Sequence, residues 1–106
     1  MLDLKNLNKM FTENGVVLVK NFVSEKQLNL VKSAIHFTQK NPSPFSSKIQ
    51  NKKNNSTFFH DYWTYKRNNF LKELLSDVQL IKSIKEISGN KKVNFFHDHI
   101  LVKDPS

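Results

Sequence analysis

Leu4, Leu7, Met10 and Phe11 recur at helical spacing, with Asp3 placed to cap the first turn and Asn14-Gly15 supplying the left-handed residue on which helices end. The pattern predicts a short amphipathic helix. Val16 to Val19 then form a largely β-branched apolar run bounded by Gly15 and Ser24, which predicts a strand continuing towards Phe22. Ser24 and Gln27 have the spacing of a capping box, and Val23 with Leu28 the spacing of a hydrophobic staple across the same turn. A second helix follows, carrying Leu28, Val31 and Ile35 on its apolar stripe and closing near Lys40 before Asn41-Pro42.

Residues 41–57 contain two prolines, many Ser and Asn, and almost no apolar periodicity, so they read as a long loop. The stretch from Phe58 to Trp63 is too aromatic for an exposed loop, and its pattern fits either a strand or the start of a helix. Phe70, Leu71, Leu74 and Leu75 form one helical patch. A second capping box, Ser76 with Gln79, predicts a further helix bearing Leu80, Ile81, Ile84 and Ile87 and ending at Gly89. From Lys92 to Lys103 the period becomes that of a strand. Val93, Phe95, His97, His99, Leu101 and Lys103 fall on one face, and Asn94, Phe96, Asp98, Ile100 and Val102 on the other. Both faces are partly apolar, which predicts a strand buried within a larger sheet. Two strands and three or four helices leave long sheet edges. The expectation for residues 1–106 is therefore a single partial α+β domain whose sheet is incomplete.

Composition narrows the chemistry. The 106 residues include no cysteine, which excludes disulfides, thiolate metal sites and cysteine nucleophiles. The first fifteen residues scatter charges among apolar positions and lack the continuous apolar stretch of a signal peptide, and no run approaches a membrane span. A soluble cytoplasmic protein without a membrane partner is the expectation. The formal net charge is +8, which raises the question of a phosphate-bearing partner. Sixteen of the seventeen basic residues are Lys, however, and only Arg67 offers the planar guanidinium that bidentate phosphate recognition favours. Solvated surface lysines are the plainer reading.

Three segments taken together resemble the phytanoyl-CoA dioxygenase family of Fe(II) and 2-oxoglutarate-dependent oxygenases. They are FTENGVVLVKNFVSEKQLNLVKSAI from Phe11 to Ile35, FLKELLSDVQLIKSIKEISGN from Phe70 to Asn90, and FFHDHILVKDPS from Phe95 to Ser106. The resemblance implies the N-terminal helical region and first strands of a double-stranded β-helix, or jelly roll, with the barrel incomplete in this chain. It also implies hydroxylation of a small organic substrate, with Fe(II) and 2-oxoglutarate as cofactors of the complete enzyme. The family's H-x-D pair and its distal His and Arg have no counterpart here. His36, His60, His97 and His99 are followed two places later by Thr38, Tyr62, His99 and Leu101. A facial triad needs two histidines and a carboxylate. No metal ligand, bound cofactor or catalytic residue is accordingly expected of this chain alone, which is expected to be inactive.

One family position carries over. The lysine of the LVKDP segment, Lys103, implies a contact to a 2-oxoglutarate carboxylate, which an ammonium group suits. His97 and His99 share its predicted strand face and are expected to line the same cavity, while His60-Asp61 beside Tyr62 and Trp63 is a candidate for substrate selection, with Trp63 lining a pocket. A buried aromatic cluster with satisfied polar ends is the plainer reading of those four residues. His97 and His99 also form an H-x-H pair capable of metal chelation, but Asp98 falls on the opposite face and spacing supplies no third ligand.

Two alternatives come from other classes. Lys48, Lys52, Lys53, Lys66 and Arg67, interleaved with Phe58, Phe59, Tyr62 and Trp63, would suit single-stranded nucleic acid, with cations on phosphates and rings on bases. A catalytically empty relative with a structural role is the other. Nothing in the sequence sets an oligomeric state or a substrate.

Overall fold

A computed structural model describes residues 2–105. Four helices and three strands follow one another as α1 (Leu4–Asn14), α2 (Glu25–Lys40), β1 (Ser47–Gln50), β2 (Thr57–Tyr62), α3 (Asn69–Leu75), α4 (Val78–Ser88) and β3 (His99–Lys103). The α+β class agrees with the expectation from sequence; the strand count is three rather than two.

Helix ends follow from local chemistry. The Asp3 carboxylate accepts from the Asn6 N–H at 3.1 Å to open α1, and Gly15 closes it at φ +74. At α2 the capping box is complete: Gln27 N–H donates to Ser24 Oγ at 3.1 Å, and Ser24 N–H to Gln27 Oε1 at 2.8 Å. The box expected at Ser76 does not form. Ser76 instead closes α3, its hydroxyl donating to the Lys72 carbonyl at 2.7 Å, and Asp77 caps α4 by accepting from Gln79 and Leu80 N–H. A carboxylate at that position also meets the positive end of the helix dipole, an advantage a hydroxyl lacks.

α1 packs against α4, and α2 against α3. Asn8 Nδ2 donates to the Ile87 carbonyl at 2.9 Å across the first pair, and the Phe37 and Phe70 rings meet edge to face at 6.3 Å across the second. Gln27 Nε2 donates to Asp77 Oδ2 at 2.8 Å and joins the two pairs. Asn68, fully buried, ties α2 to α3 within the second pair: its Nδ2 donates to the Ala34 carbonyl and to Thr38 Oγ1, both at 3.0 Å, while its Oδ1 caps α3. The seam between α2 and the segment after β2 is thus polar and hydrogen-bonded.

The strands form one antiparallel sheet in the order β1-β2-β3. β1 lies inside the stretch expected to be loop. Ser47, Lys48 and Gln50 conceal it because an edge strand facing solvent needs no apolar alternation. The ambiguous aromatic segment is β2, the central strand. β3 is shorter than expected and starts at His99, because Asp98 is turned away to bind the chain leaving β2. It is also not buried within a sheet: Ile100 is its buried residue, Leu101 is 57% exposed, and β3 stands at an edge. Val16 to Val19 form no strand, since no neighbouring strand offers them a ladder.

The molecule measures 48 × 29 × 24 Å and presents 8403 Å² of accessible surface. A compact protein of 12.4 kDa is expected to present about 6,100 Å². Val16, Leu18, Ile49, Val78, Phe96 and Leu101 contribute to the excess.

Candidate functional site

Pairing fixes which side chains share a sheet face. Phe58 stands opposite Lys103, His60 opposite Leu101 and Tyr62 opposite His99, while β1 adds Ile49 opposite Phe58 and Ser47 opposite His60. Residues directly opposite in an antiparallel pair project to the same side. This face therefore carries Ile49, Phe58, His60, Tyr62, His99, Leu101 and Lys103. The other carries Phe59, Asp61 and Ile100, all buried. One face is covered and the other is open.

Along the open face the rings form a continuous series. Phe58 and His60 lie 5.8 Å apart, His60 and His99 5.7 Å, and His99 and Tyr62 5.6 Å between centroids. At the Tyr62 end, Phe45 stacks on Tyr62 at 5.4 Å, and Trp63 meets Phe45 at 5.3 Å with planes 85° apart. His97 lies 6.2 Å from Trp63. His60 Nδ1 is buried and has no hydrogen-bond partner.

Three aspartates surround this face without standing on it. Asp61 accepts from Ser43 N–H at 2.7 Å, from the Ser43 hydroxyl, and from Tyr62 N–H at 2.8 Å. Asp98 accepts from Thr64 N–H at 2.8 Å, Thr64 Oγ1 at 2.7 Å and Tyr65 N–H at 2.9 Å, and its carbonyl accepts from Trp63 N–H at 3.1 Å. These bonds hold Trp63 at φ +58, a conformation that costs a bulky residue about 1–3 kcal/mol. Asp104 accepts from the Thr57 hydroxyl at 2.7 Å and Thr57 N–H at 2.8 Å. The Thr57 hydroxyl, then its N–H, hold the Asp104 carboxyl below its ordinary value; burial opposes them and Lys48 adds a smaller lowering.

Each expected site residue can now be located. Lys103 is exposed at one end of the open face and borders a groove of about 430 Å³ lined with Ile49, Phe58, Thr57 and Asp104. His99 stands on the same face but is not among the residues lining that groove. His97 precedes β3, so its strand-face assignment fails; it packs instead on Trp63 and Phe96. Trp63 is 51% exposed at the opposite end of the face. Of Lys103, His97, His99 and Trp63, Lys103 alone lines that groove. The fold builds an open face with a cation at one end and rings at the other, about 14 Å apart by strand rise.

Among the described residues no group of three His, Asp or Glu side chains is arranged to hold a metal ion. His60 and His99 are adjacent, but the nearby carboxylates are all engaged by backbone and hydroxyl donors. The residues present do not fit an iron centre. The basic set considered for nucleic acid is divided: Lys52 and Lys53 lie in the β1–β2 turn, whereas Lys66 and Arg67 follow the far end of β2. Phe59, from the same set, is buried on the covered face. Sequence reasoning passed over Phe45, which lay in a presumed loop, and the roles of Asp61, Asp98 and Asp104. A signal for the last three existed in the Ser and Thr residues that could donate to them, but only pairing selects the partners. Among the described residues no helix is long and apolar enough to cross a membrane.

Comparisons of the chain with protein-family models, with curated proteins and with solved structures give no match.

Proposed function

We propose that this chain forms the N-terminal helical layer and first sheet strands of a 2-oxoglutarate-dependent oxygenase of the phytanoyl-CoA dioxygenase type, with Lys103 receiving a carboxylate of 2-oxoglutarate. The observation that carries the reading is the position of Lys103: an exposed ammonium on the open sheet face, beside Phe58 and at the mouth of a groove large enough for a small dicarboxylate. The free edge of β3 and the large accessible surface also favour it, since strands added there would cover Leu101 and close the face. Lys103 would bind and orient the co-substrate.

A charge-assisted contact is worth about 1.5–3 kcal/mol. Titration with 2-oxoglutarate should therefore shift the Lys103 and Leu101 amide resonances, and Lys103→Ala should weaken binding by roughly ten- to hundredfold. With ferrous iron, 2-oxoglutarate and oxygen, the chain alone should form no succinate above a protein-free control. Succinate formation, or 2-oxoglutarate shifts that survive Lys103→Ala, would refute the proposal.

A further inference from the structure

The ring end of the open face has a geometry of its own. Phe45 and Tyr62 are stacked with planes 28° apart, and Trp63 stands across both, at 85° to Phe45 and 72° to Tyr62. Phe45 and Trp63 are each about half exposed. Two exposed rings at right angles form a corner, in which a flat ring stacks on one wall while presenting its edge to the other. Both arrangements are the favoured ones for aromatic pairs. An aliphatic chain gains neither.

The corner is also held in place. Trp63 keeps its left-handed backbone through four hydrogen bonds in its segment to Asp98, and Tyr62 is tied through its N–H to buried Asp61. Strained backbone that the surroundings over-determine is a recurrent property of ligand sites. The hydrogen-bonding groups around the corner narrow the ligand further. No glutamate occurs between Pro42 and Arg67 or between Lys91 and Ser106, and Asp61, Asp98 and Asp104 are all bound by backbone and hydroxyl donors. The imidazoles of His97 and His99 flank the rings, and Lys103 lies farther along the face. The ring end thus offers imidazole N–H donors, while the oxygens of the nearby carboxylates are already occupied by backbone and hydroxyl donors.

We infer that the Phe45-Trp63 corner binds a small planar aromatic carboxylate, its ring against the two side chains and its anionic end towards His97 and His99. Only the role of this ligand as the oxygenase substrate rests on the function proposed above; ring binding itself does not.

The chain contains one tryptophan, so the indole N–H of Trp63 is an unambiguous resonance. Titration with 4-biphenylcarboxylate should shift it saturably, at least tenfold more tightly than 4-biphenylmethylammonium, with Phe45→Leu weakening the carboxylate about fivefold while leaving the remaining amide spectrum in place. Leucine keeps the apolar bulk and removes the ring, so loss of folding is not the readout. Equal affinity for the two biphenyls, no saturable shift, or indifference to Phe45→Leu would overturn the inference. So would tighter binding of a thymidylate oligomer than of the acid, which would assign the rings to nucleic acid. Parallel titration with 2-oxoglutarate separates the two readings: a chain that binds the biphenyl acid at Trp63 but not 2-oxoglutarate at Lys103 retains the ring site and loses the oxygenase.

Discussion

Replacing Asn68 with alanine tests whether a polar seam, rather than an apolar core, joins the helices. Asn68 is fully buried and uses both ends of its amide. Its Oδ1 accepts from Phe70 and Leu71 N–H at 3.2 and 3.3 Å, a cap worth about 1 kcal/mol. Its Nδ2 makes two further bonds of 3.0 Å to Ala34 and Thr38, each worth about 1 kcal/mol net. The Ala34 carbonyl keeps its helical environment and the Thr38 hydroxyl can turn back onto it, so no additional penalty for an orphaned group is included. Asn68→Ala should therefore cost about 3 kcal/mol, a large share of the roughly 5–15 kcal/mol that holds a domain of this size. With a urea dependence of about 1.5 kcal/mol per molar, the unfolding midpoint followed by circular dichroism should fall by roughly 2 M. Asn68→Asp separates the contributions. It keeps the cap acceptor, removes both donors and places a carboxylate against two oxygens, so it should be at least as destabilising at neutral pH and recover in part when protonated. A loss below about 1 kcal/mol for alanine, or a fully stable aspartate variant, would refute the account.

The two left-handed glycines should differ in tolerance. At Gly15 an added Cβ meets nothing within 4 Å and Ala should cost about 1 kcal/mol from backbone strain alone, whereas at Gly89 it would lie 3.0 Å from Asn8 Nδ2, and Ala should cost about 2 kcal/mol by thermal unfolding. Asp77 and Asp104 both have carboxyls held below the ordinary value of 3.8, Asp77 chiefly by the Gln27 amide and Asp104 chiefly by the Thr57 hydroxyl. Because their folded values lie below the unfolded ones, the stability they confer is complete above the unfolded value and is lost as the pH falls from there through the lowered one. Denaturation midpoints measured across that interval should slope less for Asp104→Asn than for the parent chain; an unchanged slope would count against the Thr57 contact.

Features encoded within a few residues were readable before any fold was known. Ser24 and Gln27 build the predicted box, and Gly15 and Gly89 end the helices they were expected to end, because caps depend on spacing alone. Features that depend on a distant partner were not. Ser47–Gln50 pairs with β2 without an apolar signature. Asp98 belongs to the strand pattern by alternation, yet its partners are Thr64 and Tyr65, over thirty positions earlier in the chain, and binding them cuts β3 short. Ser76 and Asp77 both fit a cap motif, and the choice between them follows from where α3 ends. For the site, the shared face of His99 and Lys103 was legible from period-two alternation, whereas the Phe45-Trp63 corner required knowing that a presumed loop folds back over β2.

The outer edge of β3 bears on how the chain behaves in solution. Ile100, Leu101 and Val102 expose there a line of peptide groups without a strand to bond, the arrangement through which polypeptides recruit copies of themselves into growing ribbons. What opposes that recruitment is mutual repulsion between chains of net charge +8, reinforced by Lys103 at the end of the strand. Repulsion of this kind fades as salt shortens its range. The protein's colloidal stability is therefore tied to ionic strength in the opposite sense from its apolar contacts: added salt favours burial within one molecule and, by the same step, the docking of one β3 against another.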